Sequence, residues 1–175
     1  MEQVDIYDEN RNKTGITKYR GIDKIENGEF VLAVEALIIN SNREILISKR
    51  SKYKPKYPGM WEINGGANRT GETSLDSIVR EINEELGIVL DSKEGILLKT
   101  VKNEYRFKDV WIFKKDIDIK DLKFTDNEVE KAKWVTYKEF EKYKADKILI
   151  DTSNISKEDY ETALEYLNLK INYKE

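Results

Sequence analysis

The apolar positions of this chain change their rhythm along its length, and each change predicts a new element. Residues 30–40, "FVLAVEALIIN", are almost continuously apolar and end in the polar "SNRE". "ILISKRS" then takes up the apolar run again. Such a pair predicts a hairpin, or adjacent strands, in a sheet buried on both faces. Before it, "VDIYDENRNKTGITKYRG" reads as two short strands around an Asn-rich turn backed by Gly15. "KYKPKYPGMW" holds both prolines of the chain and is a loop. "WEINGGA" leads a strand into a glycine pair.

From Thr73 the period becomes helical, because Leu75, Ile78, Val79, Ile82 and Leu86 recur on one stripe. Thr73 suits the N-cap with Asp76 as its capping-box partner, and Gly87 suits the left-handed position that ends the helix. After it, "GILLKTVKNEYRFKDVWIFKKDI" predicts two or three strands and "KAKWVTY" another. "KEFEKYKADK" and "SKEDYETALEYLNLK" predict helices, the second capped by Ser156. Its Tyr160, Ala163, Leu164 and Leu167 share a face that completes the core or forms an interface. Trp61 and Trp134 are read as core aromatics. Strands mixed with a few helices make the chain α+β, or a three-layer α/β/α arrangement.

Composition narrows the chemistry. With 34 acidic and 31 basic residues the formal charge is −3, which points to neither nucleic acid nor a membrane surface as partner. No apolar run approaches the length of a membrane span, and the acidic start "MEQVDIYDEN" lacks a secretory pattern, so a cytoplasmic location is expected. The chain contains no cysteine and no histidine. Thiolate and Ser-His-Asp chemistry are therefore excluded, and zinc is disfavoured. Acid–base work must fall to carboxylates, Lys, Tyr or metal-activated water.

The helix offers candidates. At 100° per residue, Glu81, Glu84 and Glu85 fall together in an arc flanking the apolar stripe, with Glu81 one turn from both of the others. Like charges so placed repel, and Arg80 is the only basic residue of the helix. A solvated acidic face would account for "EINEE" alone. The missing lysines and the arc's position beside the core favour a bound cation instead. With oxygen donors only, that cation is Mg²⁺, or Mn²⁺ in its place. The loop before the helix, "GGANRTGE", adds Gly65, Gly66 and Gly71, where backbone can approach a ligand.

"GANRTGETSLDSIVREINEELGI" resembles the Nudix box: Gly66, five residues, Glu72, seven residues, Arg80-Glu81-Ile82, one residue, Glu84-Glu85, one residue, Gly87-Ile88. "EILISKRS", "YPGMWEINGG", "FKDVWIF" and "EVEKAKWVTYKEF" resemble the elements around it in that family. The N-terminal segment is similar to the extension of the branch related to isopentenyl-diphosphate isomerase. The resemblance implies a Nudix α/β/α sandwich with a mixed sheet, formed by residues 29–175. Residues 1–28 would be a β-hairpin extension packed on that domain.

It also implies a Mg²⁺-dependent pyrophosphohydrolase acting on a nucleoside diphosphate linked to another moiety. By that resemblance Glu81, Glu84, Glu85 and the Gly66 carbonyl are metal ligands, with Glu81 or a later glutamate as base. Arg80 orients the carboxylates, and Glu72 and Gly87 hold the motif together. Glu128 adds a carboxylate from a loop, although Asp126 and Glu130 are close by. The isomerase's cysteine and histidine positions hold Gly65 and Ala67, and a further metal-binding histidine is replaced by Glu35, so the isomerase chemistry is rejected. The remaining alternative is a nucleotide- or effector-binding Nudix domain without catalysis. Lys49 and Arg50 are candidates for substrate phosphates, and Tyr53, Tyr57 and above all Tyr105 for stacking on a base. Asp109 lies near the expected site. The expected partner is a small diphosphate compound, with a homodimer left open.

Overall fold

The computed structural model describes residues 2–125 and 127–169. Strands β1 (Gln3–Tyr7) and β2 (Lys13–Tyr19) pair antiparallel as a hairpin of their own. The other strands are β3 (Val31–Ile39), β4 (Ile45–Arg50), β5 (Trp61–Glu62), β6 (Asn64–Ala67), β7 (Ile96–Asn103), β8 (Arg106–Lys114), β9 (Val129–Val135) and β10 (Leu149–Ile150). Among the described residues these eight form one mixed sheet in the order β10-β5-β4-β3-β8-β7, with β6 on β3 and β9 on β4. The helices are α1 (Ser74–Leu86), α2 (Tyr137–Ala145) and α3 (Lys157–Tyr166).

β3 is buried from Leu32 to Ile39 because helices cover both faces of the sheet. On one face Val34, Ala36, Ile38 and Leu46 pack with Ile78, Ile82 and Leu86 of α1. On the other, Leu37, Ile39, Ile45 and Ile47 pack with Phe140 of α2 and with Ala163 and Leu167 of the C-terminal helical segment. This is the α+β sandwich expected from the pattern. The face of α3 left open between core and interface completes the core: Tyr160 stacks on Tyr137 at 4.6 Å between centroids. Lys170, the last residue of the expected helix, lies outside the described residues.

Two pairings place the site. β3 runs parallel to β8 in continuous register from Val31↔Arg106 to Ile39↔Lys114. β3 and β4, read as a hairpin or neighbours, are paired at Ile39↔Ile45, and residues 61–67 lie between their other ends. β5 pairs there with β4 and β6 with β3, so the strand continues through the glycine pair, Gly65 opposite Glu35 and Gly66 opposite Val34. β10, too short to show a period, adds to the outer edge of β5.

Candidate active site

Thr73 caps α1 with Asp76 in a reciprocal capping box, as its spacing predicts. At the other end Gly87 takes φ 69° and its N–H bonds the Asn83 carbonyl. The sequence stripe faces the core, and the acidic arc beside it is drawn partly under the sheet. Glu81 and Glu85 are each 8% exposed, whereas Glu84 is half-buried. Gly66 of β6 lies against this arc so closely that a Cβ there would overlap the Glu81 carboxylate.

Arg80 gathers the motif. Its Nε donates to Glu72 Oε1 at 2.7 Å and its Nη2 to Glu72 Oε2 at 3.0 Å. Its Nη1 donates to Glu81 at 2.8 Å and Glu84 at 3.1 Å, and Nη2 also reaches the Ala67 carbonyl at 3.0 Å. Glu72 further accepts from Ser77 Oγ at 2.5 Å and from the Arg69 N–H at 3.1 Å. Burial alone would raise the Glu72 carboxyl, but Arg80, Ser77 and Arg69 together bring it down to about 2. For Glu81 the balance is reversed. Burial raises its pKa above the ordinary value, aided by the charges of Glu2 and Glu84, and the Arg80 contacts do not offset it.

A second arginine, missed by the sequence reading, completes the cluster. Arg69 in the loop places Nη1 and Nη2 each 3.2 Å from the two Glu84 oxygens, and its Nε donates to Glu2 at 2.9 Å. The signal was available. Only seven of the 31 basic residues are arginines, and this one stands inside the glycine loop before the acidic helix.

These residues suit a divalent cation in their chemistry. The donors are hard carboxylate and carbonyl oxygens on one face of α1 and the facing β6. Among the described residues, no group of three or more acidic side chains is already gathered as a ligand set. Two of the carboxylates hold the guanidinium groups of Arg69 and Arg80, which offset part of their charge.

The remaining candidates spread outward. Thr125 Oγ1 bonds the Glu84 carbonyl at 2.7 Å, which ties the loop before β9 to α1. Lys54 pairs with Glu128. Arg50 is already engaged, donating through Nη1 to both Glu62 oxygens at 2.8 and 2.6 Å and through Nε to the Lys56 carbonyl. Lys49 lies 3.4 Å from Glu130. Tyr53 and Tyr57 are exposed on the proline loop. Tyr105 is in the β7–β8 turn, its N–H on Asn103 and its carbonyl on Val31, contacts that belong to the turn and not to α1. Asp109 faces the start of α1, where Ser74 Oγ donates to it at 2.5 Å. Asp126 lies outside the described residues.

A helix bearing carboxylates thus lies against a glycine strand and packs beneath a mixed sheet. The NUDIX domain model matches residues 29–153, and the chain belongs to the Nudix family of hydrolases, which act on diphosphate bonds. An uncharacterized Nudix hydrolase of Listeria monocytogenes is 37% identical over 142 residues, covering 81% of this chain and 83% of its own. The crystal structure of DR0079 from Deinococcus radiodurans matches 97% of this chain and 100% of its own, with TM-score 0.72 and 21% identity. A bifunctional NMN adenylyltransferase/ADP ribose pyrophosphatase of Francisella tularensis, solved with AMP and a manganese ion, has TM-score 0.56 and 22% identity. That match covers 81% of this chain and 42% of the larger protein. Among the described residues no helix is long and apolar enough to cross a membrane.

Proposed function

We propose that the protein is a Mg²⁺-dependent pyrophosphohydrolase that splits the diphosphate of a nucleoside diphosphate linked to a second moiety. The observation that carries this reading is the apposition of the Glu81 carboxylate to Gly66, with Arg80 drawing Glu84 to the same cluster as Glu81. In this reading Glu81, Glu84, Glu85 and the Gly66 carbonyl hold the metal, and Glu128 supplies a further carboxylate from its loop. When bound, Mg²⁺ (or Mn²⁺) neutralises the diphosphate charge and acidifies the attacking water.

The chain's own residues prepare the site. Arg80, fixed on Glu72 and on the Ala67 carbonyl, sets the side-chain directions of Glu81 and Glu84. Gly87 ends the helix so that the chain turns away directly behind Glu85. Lys49, Arg50 and Tyr105 are assigned to the substrate side. Arg50 can take a phosphate only by giving up Glu62.

The test is hydrolysis with Mg²⁺ across nucleoside triphosphates, nucleotide sugars including ADP-ribose, dinucleotide polyphosphates and prenyl diphosphates. Phosphate released through a coupled phosphatase is the readout. Wild type should turn over one class selectively, and Glu84→Gln should lose about a hundredfold or more. No turnover of any compound despite tight Mg²⁺ binding would replace this reading with that of a binding module.

A further inference from the structure

Glu84 is held from two sides, and the two arginines differ in how firmly they are committed. Arg80 is anchored within the motif by Glu72 and the Ala67 carbonyl as well. Arg69 divides its guanidinium between the carboxylates of Glu84 and Glu2. Both Glu84 oxygens take it at 3.2 Å, and Glu2 of the N-terminal hairpin segment takes it through Nε at 2.9 Å and Nη2 at 2.8 Å. Glu2 is itself steadied by Arg20 at 2.8 Å.

The hairpin runs beside this loop along its backbone too. The Thr70 N–H bonds the Gln3 carbonyl at 2.9 Å, and the Gly71 N–H bonds Asp5 Oδ2 at 3.2 Å. The planar fork of an arginine, with five donors, can serve two carboxylates at once or stay on one when the other is taken.

We propose that Arg69 is a positioning residue whose guanidinium is shared between Glu84 and Glu2, so that the N-terminal hairpin sets the affinity of the site for its metal. This inference rests on the reading of Glu84 as a metal ligand. Arg69 spans both Glu84 oxygens. A dication at Glu84 must displace it, and Glu2 is where the displaced guanidinium stays. Glu2 and the dication therefore act in the same direction, each favouring release of Glu84 by Arg69, and the coupling between them is reciprocal. The side chains of Arg69 and Glu84 are 36% and 42% exposed, so the exchange needs no repacking of the core.

Opposite signs follow for two substitutions. Without Arg69 nothing from the loop competes for Glu84, and the metal binds more tightly. Without the Glu2 charge, Arg69 rests on Glu84 alone, and the metal binds more weakly. A role in mere support of the fold would weaken binding in both.

The experiment is Mn²⁺ binding to the full chain, followed by the electron paramagnetic resonance of the free ion at fixed pH and salt. Wild type, Arg69→Gln, Glu2→Gln, the double variant and Glu84→Gln are compared, with thermal melts alongside. Arg69→Gln should lower the Mn²⁺ Kd by about threefold and Glu2→Gln should raise it by about as much, the range of a part-exposed ion pair. The double variant should still bind more tightly than wild type, because Glu2 acts mainly through Arg69 and only secondarily through its charge near Glu81. If Glu2→Gln had simply loosened the hairpin, the double variant would stay weak, and the proposal would fall. It falls equally if both single variants weaken binding, or if neither changes it while Glu84→Gln abolishes it. Unchanged binding in Glu84→Gln would remove the metal assignment itself, and the proposal with it.

Discussion

Gly65 and Gly66 are neighbours in β6, yet an added methyl group meets different things at each. At Gly65 a Cβ would run into the backbone of β3, at the Val34 carbonyl and the Glu35 Cα, and backbone cannot step aside. At Gly66 the three atoms nearest to it would all belong to the carboxylate end of Glu81, which can swing away. Gly65→Ala should therefore cost about 1–3 kcal/mol of stability, as overpacking does. Gly66→Ala should melt close to wild type and still lose about a hundredfold in kcat/KM, because Glu81 is displaced. Denaturant titration beside steady-state kinetics separates the two, and equal stability losses would refute the distinction. At this scale the sequence was informative where residues are close in the chain. The arc of Glu81, Glu84 and Glu85 follows from helical spacing, whereas the parts of Arg80 and Glu72 in the motif were expected only from the family resemblance. Arg69 was missed because its second partner, Glu2, lies 67 residues away. Arg50 drew attention for its forked side chain, but only the fold reveals that Glu62 already holds that fork.

Elements are joined here by buried charges that no local pattern discloses. Asp109 of β8 is 1% exposed and collects Arg11 from the β1–β2 turn, Thr100 from β7 at 2.6 Å and Ser74 from the first turn of α1 at 2.5 Å. Trp111 Nε1 in turn donates to Ser74 at 2.9 Å. One carboxylate thus fastens the hairpin, the sheet edge and the helix that carries the glutamates. Burial would raise its pKa, but Arg11, Ser74 and Thr100 outweigh it and hold it below the ordinary 3.8. A carboxyl whose folded value lies below its unfolded one stabilises the protein above the unfolded value. The contribution from Asp109 should accordingly be complete above pH 3.8 and drain away as the pH falls below it. Asp109→Asn should cost about 2 kcal/mol near neutrality, the loss of charge-assisted hydrogen bonds, and should flatten the acid side of the stability curve. Hydrogen exchange should show the β1–β2 amides losing protection before those of β3. Unchanged hairpin protection in the variant would mean that Tyr7 pairing with Phe30 and the Glu2 contacts hold it without Asp109.

The whole molecule puts these pieces in one order that hydrophobic rhythm could only half anticipate. Layers and helix faces were legible, since a strand covered on both sides and a helix with one apolar stripe leave distinct marks. Partner choice across the sheet was not, because the parallel union of β3 with β8 joins residues some 75 positions apart and nothing local encodes it. That union and the inserted 61–67 strand together bring Gly66 beneath α1, so the site exists only in the completed fold. Stability and metal binding should be linked accordingly. A ligand that binds the folded chain alone at a hundred times its Kd stabilises it by about 2.7 kcal/mol. For a domain of this size that corresponds to a rise in Tm of about 5–10 °C. Saturating Mg²⁺ or Mn²⁺ should produce such a rise in wild type after chelator treatment, and most of it should vanish in Glu84→Gln. An equal rise in both proteins would place the stabilising cation elsewhere on this acidic surface and remove the carboxylate face of α1 as its seat.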